Sequence, residues 1–416
     1  FVDAEQGTLD ALVEFLGVVA SGRCAAVSDP DWPPAVREAV RAGVSAEPAD
    51  LPGPTPTTPF YIGFTSGSTG LPKGFRRHHR SWTESFRACL DAFGPDAATP
   101  LLAPGRMAHS LFLFGMLLGL WTGAGVVLQE RFSAGRALDT LRQGRTPSLV
   151  AVPSQLLMML EWAARRAQPP IDGVRLVLIS GARWMRQRTA ELQALFPRAR
   201  LIEFYGASET SFIAWMPADA DAPPSTVGRP FAQVDIEIRP VGDPAGAGLI
   251  FVRSPMLFMD YVGQADDATQ AWREGDWLSV GDMGHWDDAG RLCLVGRHQR
   301  MVVTQGKNLF PEEVESVLAA HPAVAAASVQ GLFDPVRGQQ VVAVLALAPD
   351  APARPSAQAL SAWCRARLEA YKVPRRYLVC TSWPWTASGK TDHAALARAL
   401  APNGNTASAR CLQSLS

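Results

Sequence analysis

Through the first half of the chain, short apolar runs alternate with stretches whose apolar residues recur at helical spacing. The runs cover residues 23–27, 59–64, 125–128, 148–152, 176–179 and 201–204, and stretches such as 155–168 and 186–196 lie between them. Several runs are short, rich in strand formers and bounded by Gly, Pro or polar residues, as expected of a parallel sheet with helices on its faces. From about residue 217 the texture changes to brief β-like pieces separated by turns, at 234–238, 248–252 and 290–295. A third unit follows Arg297: a strand at 301–304, a helix at 311–320 opened by Pro311, strands near 325–329 and 341–347, and a helix at 356–369. The pattern predicts an α/β fold: a large N-terminal domain of parallel sheets with helices at 1–297, including a β-rich subdomain at about 217–297, then a small α+β domain at 298–400. The tail at 401–416, rich in Asn, Ser and Ala from residue 402, is expected to fray, and the Pro-rich 48–59 reads as an extended surface connection.

One segment imitates a membrane span. Residues 107–129 contain no Asp, Glu, Lys or Arg, and Gly115, Gly119 and Gly123 repeat at a spacing of four. Neither flank carries the Lys and Arg cluster expected beside a membrane, so the segment reads as a core helix running into a strand, its glycines allowing close approach to a sheet.

Composition narrows the function. The chain has 416 residues, 47% of the hydrophobic set and 19% charged, enough for large cores and two or three domains at roughly 150 residues each. Lys plus Arg and Asp plus Glu each number 39, a balance that argues against a protein whose main task is gripping nucleic acid or an anionic membrane. Six dispersed cysteines form no CxxC pair and no zinc spacing with a histidine, which fits reduced packing residues in a cytosolic protein.

The most informative residues are 65–74, TSGSTGLPKG, directly after a strand-like run. Glycines, hydroxyl side chains and one lysine in a flexible loop offer backbone N–H groups, hydroxyl donors and a cation, the chemistry that a polyphosphate requires. Pro72 rather than Gly precedes Lys73, so this is not a Walker A loop.

The decamer closely resembles the signature loop of the adenylate-forming superfamily of acyl-CoA synthetases, adenylation domains and firefly-type luciferases. Four further segments match in the family's order: YGASE at 205–209 followed by Thr210, DWLSVGDMGHWDDAGRLCLVGR at 276–297, GKNLFPEEVE at 306–315, and ASGK at 387–390. The style is that of a free-standing acyl-CoA synthetase or acyl-AMP ligase. The resemblance implies ATP-dependent activation of a carboxylic acid to acyl-AMP with release of pyrophosphate, followed by transfer to the thiol of CoA. It implies that Thr65, Ser66, Gly67, Ser68, Thr69, Gly70 and Lys73 surround the β- and γ-phosphates, that Glu209 holds Mg²⁺, and that Thr210 touches the α-phosphate. It further implies that Tyr205 and Gly181, Ala182 and Arg183 flank adenine, that Asp282 accepts hydrogen bonds from the ribose and that Arg297 orients it. By the same resemblance, Lys390 is expected to reach the reacting carboxylate and α-phosphate when the C-terminal lid closes, and Gly306 to line the thiol tunnel after the lid rotates. Gln299 stands at the hinge where Asp or Lys is usual, and Val303 where many members carry Lys.

Amino-acid-activating members hold the substrate ammonium with an Asp in the segment matching 109–125, and here the corresponding position is Ser110. Burying an ammonium without a counter-charge is costly, so the acid is expected to be apolar or aromatic, with Ser110, Phe204, Gly206, Ala207 and Gly181 near it and His109 as a gate. The acceptor is CoA or, alternatively, the phosphopantetheine of a separate carrier protein acting in trans; a non-catalytic adenylate-binding protein is a second alternative. The family's long opening segment before the stretch that residues 9–33 resemble is almost missing. Either further residues precede Phe1, or the first subdomain is naturally short and its apolar surface is covered by a second copy or a partner.

Overall fold

A computed structural model describes residues 1–3, 7–44, 53–65, 72–241, 247–262, 271–304, 307–335, 338–349, 351, 353–386, 390–401 and 411–415. In chain order, its first elements are α1 (Thr8–Ala20), β1 (Ala25–Ala26), α2 (Pro34–Gly43), β2 (Pro59–Thr65), β3 (Lys73–His78), α3 (His79–Phe93), β4 (Leu101–Ala103), α4 (Ser110–Trp121) and β5 (Val126–Leu128). There follow α5 (Ala134–Arg142), β6 (Ser148–Ala151), α6 (Pro153–Arg165), β7 (Leu176–Ile179), α7 (Thr189–Leu195), β8 (Arg200–Ala207), β9 (Ser211–Pro217) and β10 (Thr226–Pro230). Short strands continue with β11 (Asp235–Pro240), β12 (Gly248–Arg253), β13 (Tyr261–Val262), β14 (Trp272–Glu274), β15 (Trp277–Ser279), β16 (Asp282–Trp286) and β17 (Leu292–Arg297). The remainder is β18 (Val302–Thr304), β19 (Lys307–Leu309), α8 (Pro311–Ala319), β20 (Val324–Asp334), β21 (Gly338–Leu347), α9 (Ala357–Arg365), β22 (Arg376–Cys380), α10 (His393–Leu400) and β23 (Leu412–Ser414).

Two compact units emerge. The first comprises Phe1–Glu237, Phe251–Val280 and Asp288–Leu292, and the second Ile238–Ile250, Gly281–Asp287 and Cys293–Ser416. In the first, β5, β4, β6, β7 and β8 lie side by side in parallel, and β9 and β10 extend the sheet antiparallel. This is the parallel sheet that the doubly apolar runs predict. Leu102, Leu149, Val177 and Ile179 face a core closed by Leu138, Leu156, Met159, Trp184, Leu192 and Phe196 from the helices and loops between the strands. A second sheet orders β1, β2, β3 and β13.

The uncharged segment at 107–129 is α4 followed by β5, and among the described residues no helix is long and apolar enough to cross a membrane. Gly115 and Gly119 serve packing: a Cβ on Gly115 would lie 2.8 Å from Val150 Cγ1 and 3.1 Å from Leu101 Cδ2, and one on Gly119 2.5 Å from the Gly125 carbonyl oxygen, whereas Gly123 has open space around it and a φ of 74°. Bare backbone at Gly115 and Gly119 lets α4 settle on the sheet.

In the second unit, β19, β18, β21, β22 and β23 form a sheet, with β20 also paired to β21. The β20–β21 hairpin is longer than hydropathy predicts, its register running from Val324 opposite Leu347 to Asp334 opposite Gly338. Its outer end leaves the core, with Phe333 85% exposed, so backbone pairing continues where burial has stopped. The end of the chain also differs from expectation. Leu412–Ser414 pairs antiparallel with β22, and Leu412 and Leu415 pack against cores on the two sides of the sheet. An edge strand draws its stability from ladder hydrogen bonds as well as from side chains, so a polar composition does not exclude it.

His393 opens α10 with Nδ1 2.9 Å from Ser328 Oγ and 3.6 Å from Glu315 Oε1. Burial, then the charge of Arg300, pulls its imidazole down to about 3, against the attraction of Asp392. The unfolded chain takes up this proton near pH 6.5 while the folded unit refuses it, so the unfolded state binds more protons below that pH and stability falls as pH drops. The melting temperature of the wild type is therefore expected to fall more steeply than that of His393→Gln between about pH 6.5 and 4. Parallel curves would dissociate His393 from acid sensitivity.

Candidate active site

The β2–β3 hairpin sets the first charge. Its antiparallel register places Thr65 opposite Lys73, so both stand at the open end of the hairpin. Ser66, Gly67, Ser68, Thr69 and Gly70, which complete the phosphate-like loop, lie outside the described residues. The hairpin is anchored by Phe60, Tyr61 and Ile62 on β2 and Phe75 on β3, all buried. Lys73 is itself buried, which lowers its pKa, while the nearby Glu209 carboxylate opposes the shift.

The β8–β9 hairpin sets the second charge. Its register slips between Tyr205 and Gly206, and a Cβ on Gly206 would overlap the Ser211 carbonyl oxygen. Ser211 takes a φ of 60°, and its hydroxyl lies 2.7 Å from that of Ser85. Thr210 closes the turn, its Oγ1 accepting the Ala207 N–H at 3.1 Å and its own N–H donating to the Ala207 carbonyl at 3.2 Å. Glu209 projects from this turn. Its Oε1 accepts the hydroxyl of Tyr261 at 2.8 Å, and its backbone carbonyl accepts the Phe258 N–H at 2.7 Å. The face of the Tyr261 ring carries Lys73, with Nζ 4.7 Å from the centroid. Among the described residues no ion pair joins Lys73 to Glu209 and no hydrogen bond is made to Glu209 Oε2.

Arg77 fastens these pieces together. It is 2% exposed, and its guanidinium donates to the carbonyls of Ser208 at 2.7 Å and Met256 at 2.6 Å and to Ser81 Oγ at 3.2 Å. Burial pulls its pKa down to about 9, with Tyr61 and Glu209 opposing.

The remaining first-unit candidates sit near the carboxyl ends of parallel strands, where open α/β sheets place their ligands. Gly181, Ala182 and Arg183 are exposed just beyond β7. Gly181 has a φ of 86° and fits closely, since a Cβ there would lie 3.1 Å from Val152 Cγ1. Tyr205 and Ala207 are half-buried toward the end of β8, and Phe204 meets Phe212 edge to face at 4.9 Å while its carbonyl accepts the Ser180 hydroxyl. His109 is the N-cap of α4, and Ser110 is its first residue.

In the second unit, Asp282 and Arg297 are brought together: Nε donates to Oδ1 at 3.0 Å, and the carboxylate is nearly buried while the guanidinium is exposed. Gln299 is exposed in the 3₁₀ turn His298–Arg300. The next residue, Arg300, is tied to Glu312 and Glu315 at 2.8 and 2.5 Å. Lys390 is exposed, its N–H donating to Thr386 Oγ1 at 3.0 Å, whereas Ala387 to Gly389 and Gly306 lie outside the described residues.

The first unit's charged groups fit phosphates and their cation. Lys73 supplies positive charge and Glu209 a carboxylate with one oxygen held by Tyr261; in the second unit, taken by itself, Asp282 offers a carboxylate suited to hydroxyl donors. Among the described residues no group of three or more His, Cys, Asp or Glu could hold a metal. One carboxylate suits Mg²⁺, which is commonly bound by one or two carboxylates, substrate phosphates and retained water. Sequence reasoning missed Tyr261 and Arg77. The run Arg76 to Arg80 carries charge without a motif, and only the register of β3 turns Arg77 inward.

A family model described as AMP-binding enzyme matches residues 2–262, and another, described as AMP-binding enzyme C-terminal domain, matches residues 313–390. The uncharacterized acyl-CoA ligase YhfT of Bacillus subtilis (strain 168) is 38% identical over 371 residues, covering 88% of this chain and 74% of that one. The solved o-succinylbenzoate CoA synthetase MenE of Bacillus subtilis, in complex with the acyl-adenylate intermediate OSB-AMP, superposes with a TM-score of 0.74 at 25% identity over 92% of this chain and 80% of that one. The amide bond synthetase McbA from Marinactinospora thermotolerans gives 0.73 at 27% identity over 92% and 82%.

Because the Gly206 Cα faces the Ser211 carbonyl, Gly206→Ala is expected to open the Glu209 turn. Stability should fall by about 3 kcal/mol or more, measured by chemical denaturation, with loss of ATP affinity. A variant that melts with the wild type and binds ATP equally would show that the bulge tolerates a side chain.

Proposed function

The chain belongs to the AMP-binding enzyme family, and on that footing we propose that it activates a carboxylic acid with ATP and passes the acyl group to the thiol of CoA. It is an AMP-forming acid–thiol ligase. The observation that carries the reading is the pair Lys73 and Glu209, a cation and a carboxylate held on one tyrosine beside the mouth of the TSGSTGLPKG loop.

In the first step a carboxylate oxygen attacks the α-phosphorus of ATP and the bond to pyrophosphate breaks, leaving acyl-AMP. Two anions must approach, so charge screening dominates the barrier. Lys73 and the loop at 65–70 bind the outer phosphates, and the Thr210 hydroxyl, already an acceptor from Ala207, retains its proton to donate to the α-phosphate. Glu209 holds Mg²⁺, which when bound screens the phosphate charge. Tyr205 and Gly181 to Arg183 flank adenine, Asp282 receives the ribose hydroxyls, and Arg297 holds that carboxylate in place. Lys390 contacts the reacting carboxylate. In the second step the thiol attacks the acyl carbon and AMP departs, with Gly306 beside the thiol. Residues 1–297 form the ATP- and acid-binding domain, residues 298–400 the lid, and Gln299 the hinge.

The acid is apolar or aromatic. Helix α4 carries no charged residue, and its Phe114 packs with Phe212, which in turn meets Phe204. Ser110 occupies the position where an ammonium would need a carboxylate, and His109 gates the pocket. Loading of a carrier protein is the alternative for the acceptor.

ATP–pyrophosphate exchange over a panel of acids tests the first step. Exchange is expected with aryl or fatty acids and not with α-amino acids; the reverse pattern would sink the substrate assignment. Single turnover with CoA then tests the acceptor, and acyl-AMP that persists with CoA but is consumed by a pantetheinylated carrier would transfer the assignment to the alternative. Lys390→Ala is expected to abolish acyl-AMP formation while sparing thioester formation from supplied acyl-AMP. Equal loss in both half-reactions would count against a lysine dedicated to the first.

A further inference from the structure

We infer that Tyr261 is the positioning residue that keeps the two charges of the site separate. Its ring face takes the Lys73 ammonium and its hydroxyl takes the Glu209 carboxylate, leaving both for a nucleotide's phosphates and their cation. The inference rests on the proposed reading of Glu209 as the metal carboxylate.

An ammonium and a carboxylate in one partly buried site would ordinarily collapse into a direct pair, since their attraction strengthens as water is excluded. That pair would consume the charge that the phosphates need. Here the aromatic face offers Lys73 a weaker, non-ionic partner at 4.7 Å, and the phenol offers Glu209 one hydrogen bond at 2.8 Å on Oε1. One bond leaves the carboxylate able to accept more, and the ammonium keeps its donors.

The phenol can do this because its own place is fixed on both sides. Strand β13 pairs with β3, Tyr261 opposite Phe75 and Val262 opposite Gly74, so the ring travels with the strand that carries Lys73. Asp260, one residue earlier, takes Arg76 through both carboxylate oxygens at 2.7 and 2.5 Å. On the other flank, Phe258 meets the Tyr261 ring edge to face at 4.9 Å while its N–H holds the Glu209 carbonyl at 2.7 Å. The segment is thus tied to the strand that carries Lys73 and to the backbone of Glu209, and the side chain spans their functional ends.

Tyr261→Phe removes only the hydroxyl, and Tyr261→Leu removes the hydroxyl and the aromatic face. Calorimetric titration of Mg²⁺ into protein saturated with α,β-methylene-ATP reads the carboxylate, and titration of the same analogue in EDTA reads the ammonium. Tyr261→Phe is expected to weaken Mg²⁺ binding about tenfold with metal-free nucleotide affinity unchanged, and Tyr261→Leu to weaken both. Melting temperatures close to wild type show the fold intact. Glu209→Gln runs in parallel. If Glu209→Gln loses Mg²⁺ and Tyr261→Phe binds it normally, the role of Tyr261 is overturned; equal weakening of both titrations in Tyr261→Phe overturns it too, as general loosening. If neither variant alters Mg²⁺ binding, the metal reading of Glu209 fails and the inference with it.

Discussion

A buried guanidinium holds the first unit's chemistry in register. Arg77 donates to two backbone carbonyls and a hydroxyl, and its partners Ser208 and Met256 lie 131 and 179 residues away in sequence. A charge taken out of water is tolerated only where hydrogen bonds replace those lost, and removing any of these acceptors would strand part of the cation. The three segments are therefore constrained together: the strand bearing Lys73, the turn bearing Glu209 and the loop leading to Tyr261. Because the partners are neutral carbonyls, the positive field of Arg77 is not cancelled locally. It bears on Glu209, which in turn supports the charged form of Arg77.

The two hairpins obey the same logic by different means. In β2–β3, aromatic burial sets the register and delivers Thr65 and Lys73 opposite each other. In β8–β9, backbone crowding does so, since only glycine at position 206 lets the Ser211 carbonyl approach and Glu209 stand out from the turn. A stiff frame beneath a charged site reduces the reorganisation required when negative charge develops, the condition under which electrostatic stabilisation is most effective.

What could be read from the sequence follows from the range of the forces involved. The parallel sheet was legible because strands buried on both faces lose their polar alternation, and α4 because a charge-free helix rich in glycine packs onto such a sheet. The YGASET turn was legible because its residues are contiguous, whereas most of the decamer at 65–74 lies outside the described residues. Tyr261 and Arg77 were not: each acts across 52 or more residues, and neither periodicity nor a local motif registers such a contact. The outer part of the β20–β21 hairpin and the strand Leu412–Ser414 escaped for another reason. Ladder hydrogen bonds form between backbones whatever the side chains, so hydropathy is silent where a strand leaves the core.

An apolar acid and a nucleotide pose opposite electrostatic demands, and on the proposed reading the first unit separates them. At Tyr261, the charges of Lys73 and Glu209 are both present and are held by the ring face and the hydroxyl rather than by each other. Along α4 there are none: twelve residues from Ser110 to Trp121 contribute only a hydroxyl, aliphatic and aromatic groups, sulfur and bare backbone. A substrate whose single charge is the reacting carboxylate can leave its apolar body against such a surface and bring that charge to the cations. A second charge on the substrate would be stranded in the apolar part at a desolvation cost with no partner in α4. On that reading selection among acids falls to shape, and the rings of Phe114, Phe212 and Phe204, in edge-to-face contact at 4.9 to 5.0 Å, would supply a stiff backing that resists repacking.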